Sequence, residues 1–564
     1  MRKSLLIAVV SMLFAALVVP AVGNASAGKG PVRRYVVLYK AKASARAGGA
    51  AVVRAGGQVV EVNRKVGLAT IKTRNPNFLS AVSDSGVLFG AARHRPIGHS
   101  PKLRAVRPKP MDVETEGAKG PARAGAVSGA RSAAAVGEGD PLSGLQWDMK
   151  MIHATARGSY AVNKGKRGVL VGIIDTGIDG NHPDIAPNFS NRLSRNFTTD
   201  IPLIDGPCED EPDQSCSDAP NVDENSHGTH VAGTVASPLN GLGMAGVAPK
   251  VRLVNIRAGQ DSGYFFLQET VNAFTYAGDI GVDVANMSFY TDPWLYNCTD
   301  NPADSPEAQM EQATIIAATQ RALDYAHDRG VTLVAASGNS ATDLGNPTFD
   351  DTSPDFPPDA AYPRNVDNSC LDLPTEGKHV MSVNLIGPTK RKAYYSNYGV
   401  EQSTVAAPGG DRREYFGTQQ FDAVENRILA PYPESVARAN EELDEDGNSL
   451  TRFVVRNCND GVCGYYQWIQ GTSMASPHAA GVAALIVSAR GVADADHGGV
   501  TLEPRKVRRV LKLSATDRAC PTPRLYHYPD PDLPAEDFDA FCAGSPEFNG
   551  FYGHGIVDAL RASE

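Results

Sequence analysis

Four short apolar runs, separated by stretches with helical periodicity, constrain the fold of this chain most strongly. The runs are rich in Val, Ile, Leu and Ala, show no strict alternation with polar residues, and lie at 169–174, 251–256, 282–287 and 331–336. Strands that are buried on both faces of a parallel sheet have this composition. Helical patterns lie between and around the runs, at 229–236, 267–277 and 307–329. The alternation predicts an α/β fold, a helix–sheet–helix sandwich with a mostly parallel central sheet.

Polar residues that follow three of these runs mark the place where a site is expected. Asp175, Ser288 and Asn339 each come directly after a run or a few residues beyond it. Ligand sites in open parallel sheets lie beyond the carboxyl ends of the strands. We therefore expect these three side chains to meet at one edge of the sheet.

Motifs in three parts of the chain supply a carboxylate, an imidazole and a hydroxyl, in that order. They are Asp175-Thr176-Gly177, His227-Gly228-Thr229-His230 and Gly471-Thr472-Ser473-Met474-Ala475-Ser476-Pro477. From about Asp140 to the C-terminus, these motifs and the residues around them resemble the subtilisin family of serine peptidases. The resemblance implies a subtilisin-like fold, hydrolysis of peptide bonds through an acyl-enzyme, and no cofactor for catalysis.

The resemblance also implies a role for each of four side chains. Ser473 is the nucleophile, and it needs an adjacent base because a hydroxyl at its free pKa is a poor nucleophile. His227 is that base and later the acid, since an imidazole titrates near neutral pH. Asp175 orients the imidazole, and Asn339 donates a hydrogen bond to the oxyanion together with the backbone N–H of Ser473.

Neighbouring residues of the same type compete with these assignments. Asp179 follows Asp175 closely, and His230 lies one helical turn after His227. The family pattern selects Asp175 and His227, leaves His230 in the helix, and gives His478 a structural position. A metal site built on His227 and His230 would need a third ligand, and none has suitable spacing.

Other classes of protein fit the motifs less well. An aspartic peptidase needs a second Asp-Thr-Gly or Asp-Ser-Gly, and the chain contains none. A lipase-like esterase needs Gly-x-Ser-x-Gly, whereas Ala475 stands two residues after Ser473. The remaining alternative is a catalytically inactive homologue that binds peptides in the same groove. Such relatives tend to lose one of the four roles, and this chain keeps all of them.

Two segments are expected to line the substrate groove. The strip that usually reads Ser-Leu-Gly-Gly in the family, and whose backbone pairs with the substrate as an added strand, is here Ser288-Phe289-Tyr290-Thr291. The bulky side chains of Phe289 and Tyr290 are expected to narrow the adjoining subsites. The resemblance assigns the opposite wall of the pocket to Ala336, Ser337 and Gly338. Cleavage of peptide bonds is predicted, without a preferred side chain.

The family resemblance also implies a structural calcium ion. Asp140, Asp184 and Asn240 align with ligand positions of the family, and hard oxygen ligands suit calcium. The loop Pro238-Leu239-Asn240-Gly241 departs from the family pattern, so a pair of ordinary turns is the alternative. A second acidic stretch, at 444–448, lacks the spacing and the closing Glu of an EF-hand, and we interpret it as a solvated turn.

A series of segments is predicted ahead of a peptidase domain at 140–564. Residues 1–27 have the charged start, the apolar run and the small-residue end of a secretory signal. Residues 28–101 show the order β-α-β-β-α-β of a small ferredoxin-like α+β domain. In position and pattern it resembles the propeptide of subtilisin-like enzymes, a folding aid and inhibitor; a generic N-terminal domain is the alternative. Residues 102–139 predict an exposed linker with the processing site.

Charge divides the chain into a basic and an acidic part. Residues 28–139 contain 20 Lys and Arg but 6 Asp and Glu, whereas the whole chain has a net charge of −9. We interpret the basic part as an intramolecular partner of the acidic enzyme rather than as a nucleic-acid binder. The apolar run at 5–19 is shorter than a membrane span, so we interpret it as part of the secretory signal and expect a secreted, extracellular protein. We also expect it to be a monomer. Its expected partners are protein or peptide substrates and its own propeptide, with no nucleic acid and no membrane.

The eight cysteines of an exported chain predict structural disulfides. Proximity in sequence favours three local pairs and leaves a fourth by elimination: Cys208–Cys216, Cys458–Cys463, Cys520–Cys542, and Cys298–Cys370. Polar inserts that we expect to form surface loops lie at 205–223, 290–307, 340–378 and 409–465.

Overall fold

The computed structural model describes residues 31–94, 114, 139–210, 214–357 and 359–564 of the chain. The predicted signal segment at 1–27 lies outside these residues, and so does the predicted linker at 102–139 except for Glu114 and Gly139. Within the described part, no helix combines the length and the apolar character needed to cross a membrane.

A small α+β domain forms at the N-terminus, as the sequence predicts. Its elements in chain order are β1 (Arg33–Tyr39), α1 (Ala45–Arg54), β2 (Gly57–Asn63), β3 (Leu68–Thr73), α2 (Phe78–Ser83) and β4 (Leu88–Arg93). The strands make an antiparallel sheet in the order β2-β3-β1-β4, the split β-α-β arrangement. One face of the sheet packs on the helices, where Tyr35 stacks on Phe78 with ring centroids 5.3 Å apart.

The remaining strands belong to the larger α/β domain. In chain order they are β5 (Leu170–Ile174), β6 (Arg195–Asn196), β7 (Arg252–Arg257), β8 (Val284–Met287), β9 (Thr332–Ala336), β10 (Phe349–Asp350), β11 (Arg364–Asn365), β12 (Met381–Ile386), β13 (Ser403–Pro408), β14 (Ile428–Tyr432), β15 (Val454–Asn459), β16 (Val462–Ile469), β17 (Val492–Ala493), β18 (Val500–Thr501), β19 (Leu525–Tyr526) and β20 (Ala540–Phe541). The central sheet has seven strands in the order β13-β12-β9-β8-β5-β7-β6, and its neighbouring pairs are parallel. The predicted parallel sheet is confirmed.

Helices cover both faces of the central sheet. In chain order they are α3 (Trp147–Met151), α4 (Ser159–Val162), α5 (His227–Ala236), α6 (Leu267–Asp279), α7 (Pro306–His327), α8 (Glu434–Ala439), α9 (Thr472–Arg490), α10 (Pro504–Ser514), α11 (Ala535–Phe538) and α12 (Ala559–Ser563). Helices α5 and α9 pack on one face of the sheet, and α6 and α7 pack on the other. Residues 472–488 of α9 are all buried, as expected for a helix that is apolar all round. The predicted helix–sheet–helix sandwich is confirmed.

The insert that we expected to be a surface loop at 409–465 is largely structured, and that prediction is wrong. β14, β16 and β15 form an antiparallel sheet in this order. Leu429, Tyr466 and Trp468 of this sheet are buried against Leu142 and Met244 of the α/β domain. A largely polar stretch at 433–452 separates β14 from the other two strands in the sequence, and the three strands pair only in the folded chain.

The four predicted disulfides form: Cys208–Cys216, Cys298–Cys370, Cys458–Cys463 and Cys520–Cys542. The pair with the longest separation, Cys298–Cys370, joins residues 72 positions apart. It therefore ties the insert after β8 to the insert after β9, at the sheet edge where the site is expected.

The N-terminal domain lies against the outer face of α6 and α7. Gly90 on β4 comes so close to α7 that an added Cβ would lie 2.4 Å from Oγ1 of Thr314. Lys65 and Asp279 form an ion pair across the same contact. The apolar residues that face the helices are Val36, Leu38, Val66, Leu68 and Ala92.

Candidate active site

A hydrogen-bonded pair of Asp175 and His227 forms the centre of the site. Asp175 directly follows β5, and His227 is the first residue of α5. The Nδ1–H of His227 donates to Oδ1 of Asp175 at 2.6 Å, and both side chains are buried. The same oxygen also accepts from the backbone N–H of Thr176 at 2.8 Å. Because Nδ1 is the nitrogen engaged by Asp175, Nε2 is left to face a reacting group.

Asp223 fixes the start of α5. Its Oδ2 accepts from the backbone N–H of Thr229 at 2.9 Å and from Oγ1 of Thr229 at 2.6 Å. Its Oδ1 accepts from Oγ1 of Thr176 at 3.1 Å. The first N–H groups of a helix lack intrahelical acceptors, and a carboxylate at this end also interacts favourably with the helix dipole. Asp223 therefore joins the loop that begins at Asp175 to the helix that begins at His227.

Ser473 lies in the first turn of α9 and is tied to the end of β8. Its hydroxyl donates to the backbone oxygen of Ser288 at 3.4 Å. In return, Oγ of Ser288 donates to the backbone oxygen of Ser473 at 3.0 Å. Nδ2 of Asn286 holds Oγ of Ser288 at 2.9 Å. Ser473 and Ser288 thus meet at the sheet edge that the sequence indicates.

Thr472 sets the orientation of the Asn339 side chain. Oδ1 of Asn339 accepts from the backbone N–H of Thr472 at 2.9 Å and from its Oγ1 at 2.8 Å. The amide carbonyl is therefore engaged by α9, and Nδ2 is left as a donor that faces the catalytic centre. A donor fixed in this way requires no reorganisation when negative charge develops in front of it.

The carboxylate of Glu114 lies between the imidazole and this amide. Its Oε2 is 3.3 Å from Nε2 of His227, and its Oε1 accepts from Nδ2 of Asn339 at 3.2 Å. The backbone oxygen of Glu114 also accepts from the backbone N–H of Gln470 at 3.1 Å. Glu114 is 3% exposed, so a residue of the predicted linker fills the point where the imidazole of His227 and the amide of Asn339 converge.

The two carboxylates around His227 change its acid–base properties. Burial by itself lowers the pKa of His227, but the carboxylate of Asp175 and then that of Glu114 raise this pKa well above its ordinary value. Opposite charges at hydrogen-bond distance favour the charged form of a buried group. Both carboxylates therefore favour the protonated form of the imidazole while Glu114 is in place.

Two other histidines of the motifs take structural positions. Nε2 of His230 lies 3.2 Å from the backbone oxygen of Ile428 and 3.1 Å from that of Gln467. A carbonyl can only accept, so this nitrogen carries the proton, and burial lowers the pKa of His230 to about 3. His478 lies between the backbone oxygen of Met474 and the carboxylate of Asp148, inside the buried length of α9.

The bulky residues of the groove strip turn toward the protein's own side chains. The ring of Phe289 stacks on that of Phe265, with centroids 4.1 Å apart, and lies 6.4 Å from that of Phe274. The hydroxyl of Tyr290 donates to Oδ2 of Asp355 at 2.7 Å. On the opposite side, Ala336 ends β9, and Ser337 and Gly338 lead from it directly to Asn339.

Asp140, Asp184 and Asn240 come together at the loop after α5. Oδ1 of Asp140 accepts from the backbone N–H of Gly241 at 2.7 Å, and its buried Oδ2 has no hydrogen-bond partner among the described residues. Oδ1 of Asp184 accepts from Nδ2 of Asn240 at 3.1 Å. Burial raises the pKa of Asp140 and of Asp184, and Asp140 further raises that of Asp184. Two close carboxylates and an unpartnered oxygen fit a cation.

A second group of carboxylates surrounds a positively charged side chain of the protein itself. Asp200, Asp218 and Asp261 lie close enough together to bind a metal ion. The guanidinium of Arg257 pairs with Asp218, lies 2.8 Å from Oδ1 of Asp261 and lies 3.6 Å from Oδ1 of Asp200. We interpret this group as a buried ion-pair cluster that supports the loop before α5.

Sequence reasoning missed three residues that act on this centre. Thr472 lies inside the motif that contains Ser473, and Asp223 lies four residues before His227; this proximity was the signal that could have identified them. Glu114 lies in a stretch without a pattern, so nothing local distinguishes it from the other acidic residues nearby.

Comparisons with known proteins show the family to which this chain is similar. The family model described as the Subtilase family matches residues 166–555. Subtilisin DY of Bacillus licheniformis is 28% identical over 349 residues, which are 62% of this chain and 84% of that protein. The thermophilic serine proteinase of Bacillus sp. (strain AK1) is 27% identical over 331 residues, which are 58% of this chain and 55% of that protein. The chain therefore spans about half the length of the latter relative.

Solved structures show the same fold. The crystal structure of the epidermin leader peptide processing serine protease from Staphylococcus aureus superposes with a TM-score of 0.59 at 20% sequence identity. The superposition covers 95% of this chain and 98% of that chain. At this identity the likeness supports the fold alone.

Proposed function

Because the chain belongs to the subtilase family of serine peptidases, we propose that it is a secreted endopeptidase made as a self-processed zymogen. The observation that carries this proposal is the buried 2.6 Å hydrogen bond from His227 to Asp175, beside an Asn339 amide that donates toward the same centre. In the proposal Ser473 is the nucleophile, His227 is the base and then the acid, Asp175 orients the imidazole, and Asn339 is the oxyanion donor.

The first half of the reaction forms an acyl-enzyme. Nε2 of His227 takes the proton of Ser473 as Oγ attacks the carbonyl carbon of the substrate, and the carbonyl electron pair moves to oxygen. That oxyanion accepts from Nδ2 of Asn339 and from the backbone N–H of Ser473, which as a first-turn residue of α9 has no intrahelical acceptor. The imidazolium, stabilised by Asp175, then protonates the leaving amine as the C–N bond breaks.

The second half repeats these steps with water. His227 takes a proton from water as its oxygen attacks the acyl carbon, and the same donors stabilise the second oxyanion. Collapse of this intermediate releases the acid product and returns the proton to Ser473. Asp175 remains a carboxylate throughout and fixes the imidazole tautomer.

The zymogen part of the proposal rests on two contacts of the N-terminal region. We assign residues 28–101 as a propeptide that inhibits the peptidase domain at 140–564, and the packing of this domain on α6 and α7 supports the assignment. The carboxylate of Glu114 and a substrate carbonyl compete for the same donor on Asn339. Cleavage within 102–139 would remove this competition.

The proposal includes protein or peptide substrates and a structural calcium ion. The substrate backbone would lie between the Ser288, Phe289, Tyr290 strip and the wall formed by Ala336, Ser337 and Gly338. Asp140, Asp184 and Asn240 would hold the calcium ion, which takes no part in catalysis. Its contribution is to tie the start of the peptidase domain to the loop after α5.

Activity on an unfolded protein, measured together with covalent labelling, tests the proposal. Purified secreted protein is incubated with casein, and with a fluorophosphonate that reacts with activated serines. We expect cuts inside the casein chain and one labelled peptide, the one that contains Ser473. A protein that binds casein peptides but is neither labelled nor cleaves them would be an inactive homologue, and the proposal would fail.

A further inference from the structure

A short segment closes the space between the two walls of the groove. The backbone N–H of Thr291, at the end of the groove strip, donates to the backbone oxygen of Leu373 at 2.7 Å. On the other side, Oγ1 of Thr375 donates to the backbone oxygen of Ala336. The segment 372–376 therefore joins both walls and forms the floor between them.

Asp372 is the first residue of this floor, and its carboxylate lies beside the wall next to the catalytic centre. Oδ2 of Asp372 lies 3.4 Å from the position that a Cβ on Gly338 would take. Gly338 has a φ of +98° and directly precedes Asn339, the amide donor of the site. Nδ2 of Asn397 is nearer to this Cβ position, at 2.5 Å, so the amide of Asn397 and the carboxylate of Asp372 both lie against the bare backbone of Gly338.

The carboxylate of Asp372 is buried without a partner. Asp372 is 3% exposed, and among the described residues its carboxylate receives no hydrogen bond and forms no ion pair. Burial, and then the charge of Glu376, raise the pKa of Asp372 well above its ordinary value. A desolvated carboxylate of this kind is destabilised until a cation or a donor approaches it.

Glu376 places a second acidic group at the same point. Its Oε2 accepts from the backbone N–H of Asp372 at 2.7 Å, and burial raises the pKa of Glu376 to about 7. No Lys, Arg or His in the described part of the chain forms an ion pair with Glu376 either. The floor therefore carries two acidic side chains that the protein itself does not neutralise.

The floor is anchored rigidly. The disulfide Cys298–Cys370 ends two residues before Asp372. Between them, Asn297 and Leu371 exchange backbone hydrogen bonds of 2.8 and 2.9 Å. A specificity group must be held by its surroundings to discriminate between ligands, and these links hold Asp372 relative to β8 and β9.

We propose that Asp372, supported by Glu376, is the specificity group of the pocket that receives the side chain preceding the scissile bond, and that the substrates are polypeptides cut after Arg or Lys. This inference rests on the proposed peptidase function. A guanidinium or an ammonium supplies both the positive charge and the N–H donors that the Asp372 carboxylate lacks. A neutral side chain of similar length leaves that carboxylate buried and unpaired, which is how a polar pocket rejects an analogue.

The test compares fluorogenic peptides that differ only in the residue before the cleaved bond. Mature enzyme is assayed with Arg, Lys, Met and Glu at this position. We expect kcat/KM for Arg and Lys to exceed that for Met by about 10- to 100-fold, the range of one hydrogen bond to a charged group. In Asp372→Asn this advantage should fall to a few-fold while hydrolysis of the Met peptide persists. Asp367→Asn, an exposed charge in the same insert, is the matched control and should keep the wild-type preference.

Several results would overturn the inference. A wild-type enzyme that cuts the Met peptide and the Arg peptide with equal kcat/KM contradicts the inference. An Asp372→Asn enzyme that keeps the wild-type preference for Arg and Lys also contradicts it. If Asp372→Asn does not fold, Glu376→Gln replaces it and should reduce the same preference. Active-site titration with a fluorophosphonate separates the two proposals. If the enzyme is labelled and cuts neutral peptides, the peptidase function stands and only the proposed preference for Arg or Lys fails.

The precursor offers a natural substrate for a second test. Residues 102–139 contain basic residues at Lys102, Arg104, Arg107, Lys109, Lys119, Arg123 and Arg131. Wild-type enzyme added to purified Ser473→Ala precursor should cut this linker after one or more of them, as read by N-terminal sequencing. Cuts only after neutral or acidic residues would overturn the inference.

Discussion

The carboxylate of Glu114 lies 3.3 Å from Nε2 of His227, whereas the carboxylate of Asp175 contacts the other ring nitrogen, Nδ1. One buried imidazole is thus placed between two carboxylates. This arrangement favours the imidazolium, and an imidazolium cannot accept the proton of Ser473. In the proposed mechanism Glu114 therefore opposes catalysis in two ways, because it occupies the centre and favours the protonated form of the proposed base.

Replacing Glu114 by Gln should move the pH dependence of self-processing. Asp175 and Glu114 raise the pKa of His227, and an imidazole acts as a base only above its pKa. Without the charge of Glu114 the acid limb of the rate–pH profile should shift to lower pH, as followed by the loss of precursor on gels. Glu445→Gln, an exposed acid far along the chain, should leave the profile unchanged.

The same pair should affect the stability of the precursor. A histidine whose pKa is raised by folding stabilises the protein fully below its unfolded pKa, and this contribution is lost as the pH rises through the folded pKa. In an otherwise inactive Ser473→Ala background, Glu114→Gln should therefore lower Tm at acid pH, and the difference should shrink toward alkaline pH. An equal Tm at all pH values would contradict the contact between Glu114 and His227.

Asn339→Ala should reduce kcat by about 10²–10³ with little change in KM, a magnitude known from this family. Its Nδ2 is the donor that faces the centre, so its loss acts on the oxyanion rather than on substrate binding. Thr472→Val should cause a smaller loss in the same direction, because Oγ1 of Thr472 fixes the amide. Ser340→Ala changes an exposed neighbour and should keep wild-type rates. A change of KM alone in Asn339→Ala, with kcat unchanged, would speak against Asn339 as the oxyanion donor.

Calcium should slow thermal inactivation of the mature enzyme. A ligand that binds only the native state adds about 2.7 kcal/mol at 100 times its dissociation constant. Asp140→Asn removes one of two close carboxylates, so in a chelator it should be at least as stable as wild type, and it should lose the gain from calcium. Asp446→Asn, in the acidic turn at 444–448, should respond to calcium as wild type does. An unchanged wild-type half-life in chelator would exclude an important calcium site.

The separate propeptide, 28–101, should inhibit the mature enzyme in trans, and Gly90→Leu should weaken this inhibition by about 10-fold or more. An added side chain at Gly90 meets Thr314 on α7, and overpacking a contact of this kind costs about 1–3 kcal/mol. Gly86→Leu is the matched control, because nothing lies within 4 Å of its added Cβ. Inhibition should also weaken at high salt, since the two parts carry opposite charge. Equal inhibition by both variants would refute this docking surface.

The parts of the molecule that were predictable are those with a local signal. Asp175, His227 and Ser473 lie in contiguous motifs, and the parallel strands before them are uniformly apolar, so periodicity and motif agree on the same elements. Asn339 was predictable for the same reason, because it follows shortly after the buried run at 331–336. Strand ends differ from the predictions by one or two residues because buried runs extend past the last ladder hydrogen bond.

The parts that were not predictable depend on contacts between distant segments. Glu114 reaches His227 across 113 positions of chain, and no property of its neighbours indicates that contact. Asp372 acquires its position from the Cys298–Cys370 disulfide and from backbone bonds to the strip after β8. The sheet of β14, β15 and β16 was hidden because polar residues separate strands that only pair once the chain is folded.

Cleavage of peptide bonds by Ser473, activated by His227, requires the Ser473 hydroxyl, so the rate of casein cleavage by Ser473→Ala is the decisive measurement. The variant and a Ser217→Ala control, an exposed serine in the insert before α5, are secreted and purified in parallel. We predict that Ser473→Ala loses on the order of 10⁶ in turnover, is not labelled by a fluorophosphonate and remains an unprocessed precursor, while the control matches wild type. Casein cleavage by pure Ser473→Ala at the wild-type rate would contradict it.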